Sequence, residues 1–481
     1  MSGLLIAGTS SDAGKSLVVT GLCRAFVRRG IDVAPFKAQN MSNNAAVCAD
    51  GAEIGRAQYL QAQAARVEPS ASHNPVLLKP GSDRRAFVVL DGRPAGTLEA
   101  GEYATGRAHL AEAAFAAYER LAAAHDLVVV EGAGSPAEIN LRARDYVNLG
   151  LARRFDLPVV LVGDIDRGGV LASLYGTWAL VDDDDRALLA AYVINKFRGD
   201  PSVLAPGLDE ISRRTGLPCL GVLPWLDDVW LDSEDALTVG PWRPSADGAD
   251  LVVAVVRFPR ISNATDVDAL AHTPGVRVVV TADPAVCAAA DLLVLPGTRA
   301  TVADLAWLRA RGIDAVVGER HAARRPTLGV CGGYEMLAAT IDDGLESGVG
   351  EVPGLGILPV AVTFGAKVTA RTSWPWRGRD VAGYEIHHGH CALIGEVDEP
   401  FLDGVRVGAT FGTLVHGALE DDAFRVAFLA EVAALSGSAW TPDADAPGHA
   451  ALREAMIERL ADAVATHVDL DALLALAGRA S

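Results

Sequence analysis

Short apolar runs alternate with longer amphipathic stretches along most of this chain. LLIAG (4–8), DVAPFK (32–37), DLVVVEG (126–132), LPVVLVGD (157–164), AAYVINK (190–196) and LPCLGVLP (217–224) each read as a buried strand, and helical spacing fills the gaps between them. Strands separated by helices predict an α/β fold with a parallel sheet covered on both faces. Between 232 and 250 the pattern breaks into SEDALTVGPWRPSADGAD, rich in Pro, Gly and Asp, which marks a domain boundary. The alternation then restarts with DLVVAVVRF (250–258), RVVVTAD (277–283), DLLVLPG (291–297) and TLGVCGG (327–333). It turns strand- and turn-rich through 354–416 and ends, from about 420, in an Ala/Leu-rich tail of helical period. The expected organisation is an N-terminal α/β domain over 1–240 and a different α/β domain over 250–481 that carries the helical tail.

At 481 residues, half of them hydrophobic, the chain is long enough for two cores. No apolar run reaches bilayer length, and the N-terminus enters a strand without a charged leader, so a cytoplasmic protein is expected. The six cysteines are scattered without CxxC or zinc spacing, as suits reduced thiols. A net charge of −19 argues against nucleic acid or an anionic membrane as partner, so any anionic substrate needs local Lys and Arg. The DDDD run at 182–185 reads as a solvated loop and helix start.

GTSSDAGKS (8–16), between the first strand and a helical run, has the character of a phosphate loop, with one residue more than the standard spacing. Lys15 suits the β- and γ-phosphates, Ser16 suits Mg²⁺, and Gly14 allows close backbone approach; Asp12 belongs to the same nucleotide-binding loop. Strand-end acids follow in VVVEGAG (Glu131) and VVLVGDIDRGG (Asp164, Asp166), where an open parallel sheet binds its ligands. Glu131 is the candidate to share the metal with Ser16.

A second chemistry lies in TLGVCGGYEML. Cys331 stands on a strand-to-helix turn, where helix amides lower a thiol's pKa and cradle an oxyanion, and Gly332 and Gly333 permit the turn. GTLVHGALE supplies His416 as its candidate base. His387, His388 and His390 in GYEIHHGH lack companions with zinc-ligand spacing.

The longer loop, Glu131 and Lys37 resemble the dethiobiotin synthetase group, in which ATP activates a carboxylate. PFKAQNMSNNA (35–45), EIGRAQ (53–58), NPVLLKPGSD (74–83), EGAGSPAEINLR (131–142), GDIDRGGVLASLYGT (163–177) and INKFRGD (194–200) resemble, more specifically, the cobyric acid synthase family of glutamine-dependent amidotransferases. PGTRATVADLAWLR (296–309), GVCGGYEML, GYEIHHG and GTLVHG resemble the class I-type glutaminase domain that this family carries. The resemblance implies amidation of the b, d, e and g carboxylates of adenosylcobyrinic acid a,c-diamide, with ATP and Mg²⁺ as cofactors and the corrinoid acid and glutamine as partners. It implies Cys331 as nucleophile, His416 as base, Gly297 and Gly332 as oxyanion donors, and Asn195 as an adenine contact. Lys37, Arg56 and Lys79 would meet the substrate's carboxylates; Asp164 and Asp166 are further substrate-binding candidates. Asn40, Asn43 and Asn44 read equally as acceptor contacts or as a turn.

This sequence departs from the family at several positions. The Glu that many such glutaminases place two residues after the His is Ala418 here, with Glu420 nearest. Glu335 stands for the usual Gln, Arg299 and Ala300 for a Lys-Asn pair, and His73 for Met. Two alternatives remain: cobyrinic acid a,c-diamide synthase, with the same chemistry on other carboxylates, and, more remotely, a partition-type switch ATPase, against which Cys331 and His416 argue. Oligomeric state is left open.

Overall fold

A computed structural model describes residues 2–81, 85–99, 108–227, 229–230 and 251–478. The Pro/Gly/Asp-rich boundary at 232–250 lies outside the described residues.

All six apolar runs of the first half are strands of one parallel sheet, in the order Cys219–Pro224, Leu189–Phe197, Val159–Asp164, Gly3–Gly8, Leu127–Glu131, Val33–Phe36. Gly3–Gly8 is central, and its register sets Ile6 opposite Glu131. Glu131 is thereby placed at the carboxyl edge, beside the loop that leads into helix α1 (Lys15–Arg28). Chain 39–99, between the second strand and the Leu127–Glu131 strand, builds something that periodicity did not indicate. It forms a small sheet of Gln39–Met41, Val76–Pro80, Arg85–Leu90 and Arg93–Glu99, the two-stranded pair Ala45–Val47 and Glu53–Gly55, and helix α2 (Arg56–Ala64).

The second half has its own sheet, in the order Val276–Thr281, Leu251–Val256, Leu292–Leu295, Thr327–Val330, Thr410–Thr413, Gly404–Val407, Glu399–Phe401. Its first five strands are parallel and its last two antiparallel. A long hairpin, Val360–Trp376 with Arg379–Leu393, forms a separate four-stranded sheet with Thr340–Asp343 and Gly350–Pro353. Tyr384 and Ile386 of that hairpin are buried with Ala45, Val47, Leu77 and Val89 of the first half, so the two domains share an apolar contact.

The helical tail divides: helix Asp422–Ser436 packs Phe424, Phe428 and Val432 into the core of the second domain, while the next helix packs on the first. Helix His449–His467 crosses α1, and Met456, Ile457, Leu460, Ala461 and Val464 join Val18, Val19, Leu22 and Phe26 in one core. This helix completes the N-terminal domain, because α1 presents apolar side chains on its outer face as well as toward the sheet. Gly21 marks the crossing: a Cβ there would lie 2.6 Å from Val464 and 3.0 Å from the Leu460 carbonyl oxygen.

Candidate functional site

The phosphate loop is shaped by left-handed backbone at Asp12 (φ 57°) and Gly14 (φ 92°). Asn195, buried at the end of its strand, donates to the Ala13 carbonyl (3.0 Å), and Lys196 reaches the Asp12 carbonyl (2.7 Å), so the loop is braced from the sheet. Lys15 curls back onto the carbonyls of Ser10 and Gly134, at 3.2 Å each. Glu131, fully buried, gathers three donors: Ser16 Oγ (2.9 Å) and Lys37 Nζ (2.8 Å) on Oε1, and the Gln61 amide on Oε2. A carboxylate and a hydroxyl side by side at a phosphate loop suit Mg²⁺, which takes one or two protein oxygens and completes its shell with phosphate and water.

A cavity of about 320 Å³ opens over this loop, lined in part by Lys15, Lys37, Asn40, Met41, Leu141 and Arg144. Of the basic residues expected to meet a carboxylate substrate, only Lys37 lies here. Arg56 pairs with Glu420 and Lys79 with Glu53 (2.6 Å), both at the contact between domains. Arg142 and Arg144 line the cavity instead. Arg142 is held by a bidentate pair to Asp185, which corrects the reading of the DDDD run: Asp182 caps the helix Asp183–Arg186, but Asp185 is buried between Arg142 and Arg153. Asp164 and Asp166 do not reach the cavity. Asp164 pairs with Lys196 (2.7 Å) and Asp166 with Arg198 (3.2 Å), so their charge is spent bracing the loop's surroundings. Asn43 is also absent from the cavity lining and donates to the Pro80 carbonyl.

Cys331 follows the Thr327–Val330 strand and caps helix Gly332–Leu337, with φ 50° and ψ −115°. That conformation is costly for a side chain with a Cβ and is characteristic of a nucleophile elbow. Gly332 packs on Thr298, and Gly297 lies against the His416 ring: a Cβ at Gly297 would sit 3.1 Å from His416 Cε1. The structure thus collects Cys331, His416, Gly297 and Gly332. It also supplies what the spacing after His416 did not: Asp266 Oδ2 lies 2.6 Å from His416 Nδ1, and Asp266 Oδ1 accepts the Gly417 amide (3.0 Å). Sequence reasoning missed Asp266 because it lies 150 residues upstream, in a segment without local periodicity. Glu420 is engaged elsewhere, with Arg56 and Arg453.

The thiol's environment differs from the expectation of a lowered pKa. Burial pushes Cys331 well above its ordinary value and Glu335 adds to the rise, while the Gly332 amide opposes them. The resting thiol is therefore protonated and depends on a base. Glu335 is itself buried, which raises it to about 7 against the opposing hydrogen bond from Thr301 (2.7 Å). The small cavity beside Cys331 is lined by Thr298, Arg299, Glu335, His387 and His388, and by Lys79 of the first domain. His387 bonds with the Gly389 carbonyl (2.8 Å) and His390 with that of Ala366 (3.0 Å); among the described residues no group of three His, Cys, Asp or Glu side chains is placed to hold a metal. Arg299 stacks on Phe87 across the domain contact, and His73 is buried and lowered to about 4 by burial.

Comparison with known proteins finds two family models along the chain. Residues 4–239 match the CobQ/CobB/MinD/ParA nucleotide binding domain and residues 252–424 the CobB/CobQ-like glutamine amidotransferase domain. A cobyric acid synthase of Cutibacterium acnes is 64% identical over 99% of this chain and 100% of its own length. This chain belongs to the cobyric acid synthase family. Family members from Mycolicibacterium gilvum and Mycolicibacterium vanbaalenii are each 55% identical, over 99% and 100% of this chain and 97% of theirs. In this family member a nucleotide-binding domain and a glutamine amidotransferase domain are joined in one chain, and no helix among the described residues is long and apolar enough to cross a membrane.

Proposed function

We propose that the protein amidates the b, d, e and g carboxylates of adenosylcobyrinic acid a,c-diamide, using ATP and glutamine. The observation that carries this reading is the pairing, in one chain of this family, of a phosphate loop facing a base-lined cavity with a Cys–His–Asp arrangement at an elbow.

At the elbow, His416 takes the Cys331 proton as sulfur attacks the glutamine amide carbonyl, with Asp266 steadying the imidazolium and the amides near Gly297 and Gly332 receiving the oxyanion. Collapse returns the proton to the leaving nitrogen and frees ammonia, and water then releases glutamate from the thioester. In the phosphate cavity a corrin carboxylate attacks the γ-phosphorus of ATP, giving an acyl phosphate and ADP while Lys15 and Lys37 hold the phosphoryl oxygens. Ammonia attacks the acyl carbon, phosphate leaves, a proton is lost and an amide remains. Mg²⁺, held by Ser16 and Glu131, would neutralise phosphate charge.

The deciding experiment is a mass spectrum of the corrinoid product formed with ATP and glutamine. Each amidation replaces OH by NH₂, so the steps are countable. Completion at b, d, e and g supports the reading, whereas amidation of only the a and c positions of the parent acid points to the related synthase. Lys15→Ala should abolish amide formation from glutamine and from ammonium alike. Cys331→Ser should lose only the glutamine-dependent reaction, with ammonium at raised pH restoring product. Ammonium-supported product from Lys15→Ala at the wild-type rate overturns the assignment of the first site.

A further inference from the structure

The phosphate cavity has a floor and a rim of different chemistry. Lys15 and Lys37 line it from buried positions, whereas Met41, Leu141 and Arg144 line it from exposed ones. Arg144 differs from the other cations of the lining. Lys37 is paired with Glu131, Arg142 with Asp185, and Lys15 lies on two carbonyls. The Arg144 guanidinium has no hydrogen bond, ion pair or ring contact among the described residues. Of the three acids in the lining, Asp12 pairs with Arg167 (3.3 Å), and Asp145 accepts the amides of Val147 (2.8 Å), Asn148 (2.9 Å) and Gly150 (2.9 Å). Glu138, the third, makes no ion pair with Arg144.

The segment that carries this cation is nevertheless fastened on both sides. Arg142 ties one end of the 3₁₀ turn Arg142–Arg144 to buried Asp185, and Asp145 ties the other to the start of helix Leu149–Phe155. An unpaired guanidinium on a fixed backbone is preorganised for a planar anion such as a carboxylate. Its neighbours at the rim are apolar and in water: Met41 is 43% exposed, Leu141 48%, and Ile139, two residues from Leu141, 54%. Large apolar side chains left in water beside a cavity mark a surface that a ligand covers. A triphosphate does not suit them, and its charge is already met by the loop amides and Lys15. A macrocycle with an apolar face and several carboxylates around it suits both the guanidinium and the apolar rim.

We propose that Arg144 binds a carboxylate of the acceptor other than the one being activated, while Met41 and Leu141 bear on the apolar face of its macrocycle. This subsite rests on the functional reading above and names the part of the acceptor that the rim holds. One carboxylate then turns inward to the γ-phosphate while a second, at the rim, fixes how the ring lies over the cavity.

The test measures KM and kcat for adenosylcobyrinic acid a,c-diamide, and KM for ATP, in the full-length protein. Arg144→Met keeps the length of the side chain and removes its charge. It should raise the acceptor KM about tenfold or more, with a much smaller change in kcat, the ATP KM unmoved and the melting transition unchanged. Arg144→Lys, which keeps the charge but not the planar fork, should recover part of the loss. Leu141→Ser should raise the acceptor KM as well, and more salt should weaken acceptor binding in wild type and Leu141→Ser but much less in Arg144→Met. An acceptor KM unchanged in Arg144→Met, or an equal rise in the ATP KM, overturns the subsite while leaving the activity intact. A wild-type protein that amidates no carboxylate of this acceptor overturns the functional reading itself.

Discussion

A proton leaving Cys331 must rest on His416, and what stabilises it there is Asp266, 2.6 Å from the far ring nitrogen. An amide in place of that carboxylate keeps the shape but removes the charge and favours the wrong tautomer. Asp266→Asn should therefore lower kcat for glutamine hydrolysis about a hundredfold or more, with ammonium-supported amidation unchanged; steady-state assays with the two donors check this. Glu335 makes the opposite kind of prediction. Burial raises it from 4.5 to about 7, so its ionisation weakens the fold progressively as pH rises from 4.5 to 7 and by a constant amount above. Glu335→Gln removes that group and should match wild-type stability near pH 4 but exceed it at pH 8, by up to about 3 kcal/mol. Thermal melts at the two pH values measure the difference.

Helix α1 connects sequence to site at the scale of an element. Its N-terminus holds Lys15 and Ser16 under the phosphate cavity, and its outer face is covered by helix His449–His467, contributed by the far end of the chain. Leu460 is fully buried in that contact. Leu460→Ala should cost about 2–5 kcal/mol and weaken nucleotide binding along with the melting transition, although no described residue of the tail lines the cavity. A fall in stability that spares nucleotide affinity at all temperatures would show that α1 holds its place without the tail.

Across the whole molecule, the domains are joined by buried charge. Glu53 sits between Lys79 and Lys367, and Glu420 between Arg56 and Arg453. Burial raises both carboxyls, but the paired cations outweigh it and bring each down to about 2. Their stabilisation is complete above pH 4.5 and drains away as pH falls toward 2, at most of the order of 3 kcal/mol for each group. Glu420→Gln should accordingly be less stable than wild type at neutral pH, with the gap narrowing between pH 4.5 and 2, as chemical denaturation at stepped pH would record.

Elements whose signal is local were legible in the chain. The strands, the phosphate loop, the Cys331 elbow and His416 at a strand end follow from periodicity and from the few residues that such turns and reactions tolerate. Glu131 was legible too, since a strand-end acid beside a phosphate loop needs only the sheet's order to meet Ser16. Folding alone decided where distant segments close on one another. Asp266 reaches His416 across 150 residues, helix His449–His467 returns to α1, Lys79 and Arg56 turn toward the domain contact, and Asn43 toward the Pro80 carbonyl, rather than to the cavity. A polar residue's partner is set by whatever the packing of apolar faces brings beside it, and no spacing along the chain encodes that choice.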